Sequence, residues 1–416
     1  MPVDTVPDVV QQVARESHGR LLAYLSVQTR DVARAEDALS EAFLAALTTW
    51  SRDGIPESPA AWLLTTARRQ LRDASRGETR QRSHLEALSH MLSTVPEREI
   101  DELPDERLRL MLACAHEALA PDVHAPLMLQ AVLGLDAETI ARAYLVSPAT
   151  MSQRLVRAKL RLRTAGISFD FPEPERLTQR LSSVLDAIYT AFSSGWDAGL
   201  ETSHRLGGLA DEAVWLARLV VRLLPDEPEP LGLLAMLLFA QARRPARRDA
   251  RGRFVPLLDQ DVRQWDAGLI EEADRLLAFA ATLGRPARFQ LEAAIQSCHS
   301  DRRRTGAVPW PHLVGLYDGL ILLAPTLGAL VGRAAAIGQW RGAELALEAL
   351  DRLDPQVRDQ YQPYWSTRAH FLAELGDHAA AVAAYRRAQA LTEDPSVRDF
   401  LQERAAAIES PGGSAR

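Results

Sequence analysis

A basic segment at residues 146–163, VSPATMSQRLVRAKLRLR, has the composition of a surface that binds phosphates and reads base edges. The segment contains no acidic residue, and Arg154, Arg157 and Arg161 lie on one face of the predicted helix. The planar guanidinium of arginine bonds phosphate and guanine in a bidentate way. The alternative is the solvated basic side of an ordinary amphipathic helix. The absence of acids across the segment favours nucleic-acid binding.

The sequence around this segment predicts two helices joined by a tight turn, over residues 134–163. Asp136 is expected to cap the first helix, and Ser147 the second. Pro148 follows in the first-turn position, where its missing N–H costs little. Such a pair is a helix-turn-helix, whose second helix enters the major groove of DNA. The buried face predicted for the second helix consists of Met151, Leu155 and Ala158.

A second group of arginines lies in residues 58–82, SPAAWLLTTARRQLRDASRGETRQR. Cationic side chains along one helix neutralise phosphates, and such contacts dominate the affinity for nucleic acids and make it sensitive to salt. The segment is therefore a second candidate nucleic-acid contact. Its arginines are Arg68, Arg69, Arg72, Arg76, Arg80 and Arg82.

Two acids in residues 30–50 are spaced for docking on a basic partner. Asp37 and Glu41 are four residues apart, so they share one face of a predicted helix. Two acids on a helix are usually only solvated, and the spacing alone does not separate the two readings.

Signatures of catalysis are absent from the sequence, which contains no Walker loop, GxSxG or HExxH motif. Cys114 and His116 lie in a predicted apolar helix and are expected to be core residues, as are Cys298 and His299. Tetrahedral zinc needs four ligands, and no CxxC pair is present. The sequence predicts neither an enzyme nor a bound cofactor or metal.

The composition predicts a globular protein of several domains. The chain has 416 residues, of which 47% are hydrophobic and 25% charged, and its net charge is −7. A nucleic-acid footprint must therefore be local. Without a signal-like start, a long apolar run or a disulfide framework, we expect a cytoplasmic protein that does not contact membranes.

Helical periodicity runs through almost the whole chain, so the predicted fold class is all-α. Breaker-rich stretches divide it into two small helical domains and a long helical extension. The boundaries are 10–90, an acidic linker at 91–106, then 107–166 and 176–410.

The extension resembles stacked helical hairpins. Residues 371–395 have the small-residue and aromatic pattern of a tetratricopeptide unit, with Gly376 at the turn, and residues 337–355 are a looser copy. A plain helical bundle is the alternative. Asp259 and Asp261, beside an arginine-rich run, are expected to form a buried ion-pair network that orients these helices.

Several segments resemble bacterial sigma factors. TIARAYLVSPATMSQRLVRAK (139–159) looks like their fourth conserved region, and residues 30–50 and 58–82 are similar to the second region. Residues 103–135 and 224–266 resemble the extracytoplasmic-function group of the sigma-70 family that carries a tetratricopeptide-like extension. Residues 189–199 depart from the pattern of that group.

The resemblance implies partners and residue roles. Region 2 would bind the clamp helices of the largest subunit of core RNA polymerase and hold the melted −10 element, and region 4 would read the −35 element. Asp37, Glu41, Phe43 and Leu44 would contact polymerase. The promoter contacts would be Arg68, Arg69, Arg72, Arg76 and Arg80 in region 2, and Thr150, Ser152, Gln153, Arg154, Arg157 and Lys159 in region 4. Arg69 stands where the family often has Asn.

The function expected from these features is that of an alternative sigma factor that directs promoter-specific initiation. Its extension would modulate activity, by contacting either the two DNA-binding parts or polymerase. Two alternatives stay open: a helix-turn-helix regulator that acts without polymerase and senses a ligand or a protein, and a repeat scaffold with a degenerate front half.

Overall fold

The computed structural model describes residues 6–79, 105–144, 146–197, 203–392 and 394–409. Their regular structure is helical, as the sequence predicts, and only an isolated bridge between Arg248 and Phe254 is of β type. The chain contacts divide the molecule into two compact units, Met1–Ala213 and Val214–Arg416. Most of the predicted acidic linker lies outside the described residues.

The first unit is built from nine described helices, the last of which crosses the boundary between the units. They are α1 (Val6–Thr29), α2 (Val32–Asp53), α3 (Pro59–Thr79), α4 (Arg107–Cys114), α5 (Pro121–Leu133), α6 (Ala137–Ala143), α7 (Pro148–Thr164), α8 (Pro174–Asp197) and α9 (Ser203–Leu223).

Helices α1, α2 and α3 pack together around a common apolar core. Asp31 caps α2, where its carboxylate accepts from the backbone N–H groups of Ala33 and Arg34. Trp50 at the end of α2 is buried, and its ring meets the ring of Trp62 edge to face. The core consists mainly of aliphatic side chains, including Leu21, Leu22, Leu25, Leu39, Leu63 and Leu71.

Helix α1 also packs against α4 and α5, so the two predicted DNA-binding parts are in contact within this unit. Gly19 of α1 makes this approach possible, because a Cβ placed there would lie 1.9 Å from the carbonyl oxygen of Val132. Only glycine permits such a close backbone contact.

Helix α8 belongs to the first unit, although the sequence places residues from 176 onward in a separate extension. Its buried face, which includes Leu181, Leu185 and Ile188, packs with α5 and α4. An amphipathic helix joins the element that covers its apolar face, and sequence breaks do not identify that element.

The second unit is also helical. Among the described residues of the chain, no helix is both long and apolar enough to span a membrane. The helices that follow α9 in the second unit are α10 (Pro228–Ala242), α11 (Ala267–Thr282), α12 (Arg288–Ser300), α13 (Arg302–Thr305), α14 (Trp310–Leu323), α15 (Leu327–Arg341), α16 (Ala343–Asp351), α17 (Pro355–Arg358), α18 (Gln362–Glu374), α19 (His378–Ala390) and α20 (Pro395–Glu409).

A hairpin of α18 and α19 forms where the tetratricopeptide pattern lies. Gly376 makes the turn with φ of 82°, in the left-handed region that glycine adopts readily. Ala381, Tyr385 and Ala388 are buried, as the pattern requires. Successive packing of α15 with α16, α18 with α19, and α19 with α20 forms a stack. Its assignment to the tetratricopeptide class stays a prediction.

The predicted ion-pair network takes a different form. Asp261 is not buried with the arginine-rich run, because it pairs with Arg263, only two residues away. Asp259 lies 3.5 Å from Arg404. Another pair that joins distant segments is Arg248 with Asp394, at 3.3 Å between Nη2 and Oδ2. The carboxylate of Asp261 therefore has a neighbouring partner, Arg263, and not one from the arginine-rich run.

Candidate nucleic-acid interface

One side of α2 is exposed and carries the predicted polymerase contacts. Asp37 and Glu41 are exposed, and Leu44, one turn further, is 58% exposed. An apolar side chain beside two carboxylates is suited to a partner with a basic and apolar surface. Phe43 instead stacks on His18, with 6.4 Å between the ring centroids, and is half-buried.

An adjoining side of α2, together with its N-cap, carries acids that are already paired. The carboxylate of Glu36 binds the ammonium of Lys159 in α7, and both side chains are largely buried. Asp31 lies 3.7 Å from Arg163, also in α7. These pairs attach the C-terminal half of α7 to α2, and the sequence analysis assigned no role to Glu36, Asp31 or Arg163.

The helix-turn-helix forms with the predicted caps. The backbone N–H of Thr139 donates to the carboxylate of Asp136 at 2.7 Å. Ser147 accepts from the backbone N–H of Thr150 at 3.1 Å, and Pro148 occupies the first position of α7. These caps fix the start of each helix and confirm the prediction.

Helix α7 has a buried face and an open N-terminal half. Met151, Leu155 and Ala158 are buried, as predicted, and α7 packs against α5 and α6. Ser152 and Gln153 are exposed in the first two turns, the part of a recognition helix that contacts base edges. The remaining predicted contacts are Thr150 and Arg157, both exposed, and Arg154, which is half-buried with its Nη1 3.8 Å from Asp122.

The arginines of α3 differ in how far they reach solvent. Arg69 is exposed and Arg72 is half-buried. Arg68 is only 8% exposed; it donates to the hydroxyl of Tyr24 at 2.5 Å, and its guanidinium lies 5.0 Å from the centre of that ring. The side chain of Arg76, and Arg80 and Arg82 entirely, lie outside the described residues.

Two predicted DNA contacts are therefore engaged inside the protein. Arg68 is held by Tyr24, which lies 44 residues earlier in the chain, and Lys159 by Glu36, which lies 123 residues earlier. Neither partner could be recognised from local spacing. This placement disfavours a phosphate contact by Arg68, and it makes one by Lys159 depend on separation from α2.

Cys114 at the end of α4 and His116 just beyond it lie in different surroundings. Cys114 is fully buried, which raises the pKa of its thiol to about 12. The helix is predicted to include His116, but it ends at Cys114. His116 follows it and accepts a hydrogen bond from the backbone N–H of Ala118. Within the described segments, no group of three or more His, Cys, Asp or Glu side chains is arranged to hold a metal ion.

Comparison with protein families connects this geometry to a known class. Residues 13–81, which contain all of α2 and α3 and the larger part of α1, match the model of sigma-70 region 2. The chain belongs to the sigma-70 family. Residues 180–281 match a family of unknown function (DUF6596), which begins within α8 and continues into the second unit.

A relative of this sigma-70 protein is similar to it over most of the length of both chains. The chain is 35% identical to an uncharacterized protein of Rhizobium meliloti (strain 1021) over 395 residues, which are 93% of this chain and 92% of the relative. Sigma-70 region 2 indicates a role in transcription initiation. It also implies binding to core RNA polymerase and promoter DNA.

Proposed function

We propose that this sigma-70 protein is an alternative sigma factor of the extracytoplasmic-function group, with a tetratricopeptide-like extension that modulates its activity. The observation that carries the proposal is the match of residues 13–81 to region 2. Within the matched residues, α2 exposes Asp37, Glu41 and Leu44. The capped helix-turn-helix supports it, because its open N-terminal half has the form of a −35 reader.

We assign docking on polymerase to the exposed side of α2 that carries Asp37, Glu41 and Leu44, the docking stripe. Asp37 and Glu41 would meet basic side chains of the clamp helices, and Leu44 would pack beside them. Phe43 has a supporting role, since its ring stacks on His18 and helps to hold α1 against α2.

Promoter contacts are assigned to the accessible cations and polar groups. In region 2 the exposed Arg69 is the strongest described candidate for the −10 strand, with Arg72 beside it. In region 4 the candidates are Ser152, Gln153 and Arg157, in or next to the first two turns of α7.

Simultaneous reading of both promoter elements requires α7 to leave α2. Elements centred about 25 base pairs apart are separated by roughly 85 Å at ~3.4 Å per base pair. A compact unit of 213 residues has a radius of gyration of about 17 Å, and is therefore roughly 45 Å across. The pairs of α7 with Glu36 and Asp31 therefore hold a closed arrangement that polymerase binding must open.

The test is run-off transcription with cognate core polymerase, together with direct measurement of core binding. Asp37→Arg reverses an exposed charge in the docking stripe, and we expect it to weaken core binding at least about 100-fold and to abolish the transcript. Glu16→Arg makes the same charge change on exposed α1 and is the matched control, with binding unchanged.

Three outcomes would count against parts of this proposal. Core binding by Asp37→Arg equal to that of the unaltered chain would reject the docking stripe. Tight, specific duplex binding without polymerase, with no run-off product, would favour the regulator that acts alone. A chain ending at Ala213 retains α8 and tests the extension: equal activity with and without it would reject modulation.

A further inference from the structure

A buried guanidinium without a carboxylate partner lies in the second unit. Arg243, just after α10, is 9% exposed, and its Nη2 donates to the side-chain oxygen of Gln296 in α12. Its Nη1 is buried and makes no hydrogen bond within the described structure. Burial and the charge of Arg302 lower the pKa of Arg243 to about 10, so the group still carries its charge at neutral pH.

The groups around Arg243 add a second guanidinium, that of Arg302, and further unpaired polar atoms. His299 lies within the electrostatic reach of Arg243 and Arg302, and its Nδ1 is buried without a hydrogen bond. The indole Nε1 of Trp265 is also buried and unbonded. The guanidinium of Arg302 lies 5.2 Å from the centre of the Trp265 ring, and its charge acts on both Arg243 and His299, so the four side chains belong to one cluster.

The acids near the cluster are directed elsewhere. Asp259 acts on Arg302 but not on Arg243, and lies 3.5 Å from Arg404. Arg302 itself donates to the backbone carbonyls of Leu258 and Gln260. Among the described residues, none supplies a carboxylate to the guanidinium of Arg243.

A buried charge without a counter-ion costs several kcal/mol, and buried polar atoms in folded proteins almost always have a partner. The alternatives are internal water and a bound anion. Water satisfies hydrogen bonds but does not compensate the charge of two neighbouring guanidiniums. A small oxyanion does both, because its oxygens accept from Arg, His and Trp donors together. Arg302 is half-buried and leaves one side of the cluster open to solvent.

We infer that Arg243, His299, Trp265 and Arg302 form a binding site for a small oxyanion, a phosphate or a carboxylate group of a small molecule. The site lies in the second unit and is separate from the polymerase and promoter contacts proposed above. It gives the extension a small-molecule ligand by which its activity can be controlled.

The experiment measures thermal unfolding of the full chain in phosphate, in succinate and in chloride at matched ionic strength. We expect phosphate or succinate to raise Tm by at least about 3 °C beyond chloride, with saturation, and the stronger of the two identifies the chemical source. Titration calorimetry with inorganic phosphate should give a single site.

Variants make the test specific. Arg243→Met should remove the anion-dependent rise while leaving the chain folded, because it also removes the unpaired buried charge. Arg303→Met, on the exposed side of α13, is the matched control and should retain the full rise. An equal rise in Arg243→Met and in the unaltered chain, or none beyond chloride in either, would overturn the site.

Discussion

Two regions of the molecule contain a buried cationic side chain, and they differ in whether a carboxylate of the chain pairs with it. In the first unit, Lys159 of α7 is 12% exposed in its side chain and meets the carboxylate of Glu36, itself 24% exposed. In the second unit, Arg243 is equally buried and faces another cation and a histidine. A buried positive charge is thus compensated either by a carboxylate within the chain or, as we propose for Arg243, by a bound anion.

The physical basis of the comparison is the cost of removing charge from water. A partly buried ion pair recovers that cost by Coulomb attraction and hydrogen bonding, whereas an isolated buried charge does not. The α2–α7 contact is therefore expected to be sensitive to either partner, and the Arg243 cluster to the composition of the solvent.

The largest expected effect comes from reversing the charge of the paired cation. Lys159→Glu would place a second carboxylate against Glu36 in a half-buried setting, and should lower the free energy of unfolding of the first unit by about 2–3 kcal/mol. Denaturant unfolding checks this value. Adding Glu36→Lys to the same chain restores the opposite charges and should recover most of the loss; a double variant no better than the single one would contradict the pairing.

An intermediate effect is expected from pH at the unpaired cluster. Burial and the charges of Arg243 and Arg302 lower the pKa of His299 from 6.5 to about 4. Since the folded-state pKa lies below the unfolded one, the unfolded chain binds more protons between these values. Stability is therefore full above about pH 6.5 and falls as pH drops towards 4, with a loss of about 2 kcal/mol by pH 5.

Unfolding measured from pH 7.5 to 4.5 tests this dependence. His299→Gln should flatten the part of the curve that His299 contributes, and phosphate should reduce the slope, because an oxyanion favours the protonated ring. A His299→Gln curve that keeps the full slope would assign the dependence to other groups, among them His18, whose pKa is also lowered by burial.

The smallest effect is expected at the outer pair of α7. Arg163 is 55% exposed in its side chain and lies 3.7 Å from Asp31. Exposed ion pairs contribute little, so Arg163→Met should lower the free energy of unfolding by no more than about 0.5 kcal/mol, and this loss should shrink at high salt. A loss comparable to that of Lys159→Glu would mean that burial does not separate the two pairs.

Much of the site could be predicted because its signals are local. The caps at Asp136 and Ser147 and the buried positions Met151 and Leu155 depend on residues within one or two turns. The exposure of Asp37 and Glu41 follows from the same helical period. The roles given to these residues stay predictions.

Other features depended on partners far along the chain. Arg68 and Lys159 have the same local signals as the exposed arginines, yet Tyr24 and Glu36 engage them. The first helix of the predicted extension, α8, packs with α4 and α5 in the first unit. Arg243 is one of several arginines in residues 243–253, and its burial is apparent only in the folded structure.

The sequence by itself determined the all-α fold, the helix-turn-helix with its two caps, and the candidate acidic stripe of α2. Helical periodicity and capping are short-range effects, so the residues that cause them are neighbours in the chain. The tertiary structure decided which cations are paired, which are exposed and which are buried without a partner. Those outcomes depend on desolvation and on contacts between segments brought together only by folding.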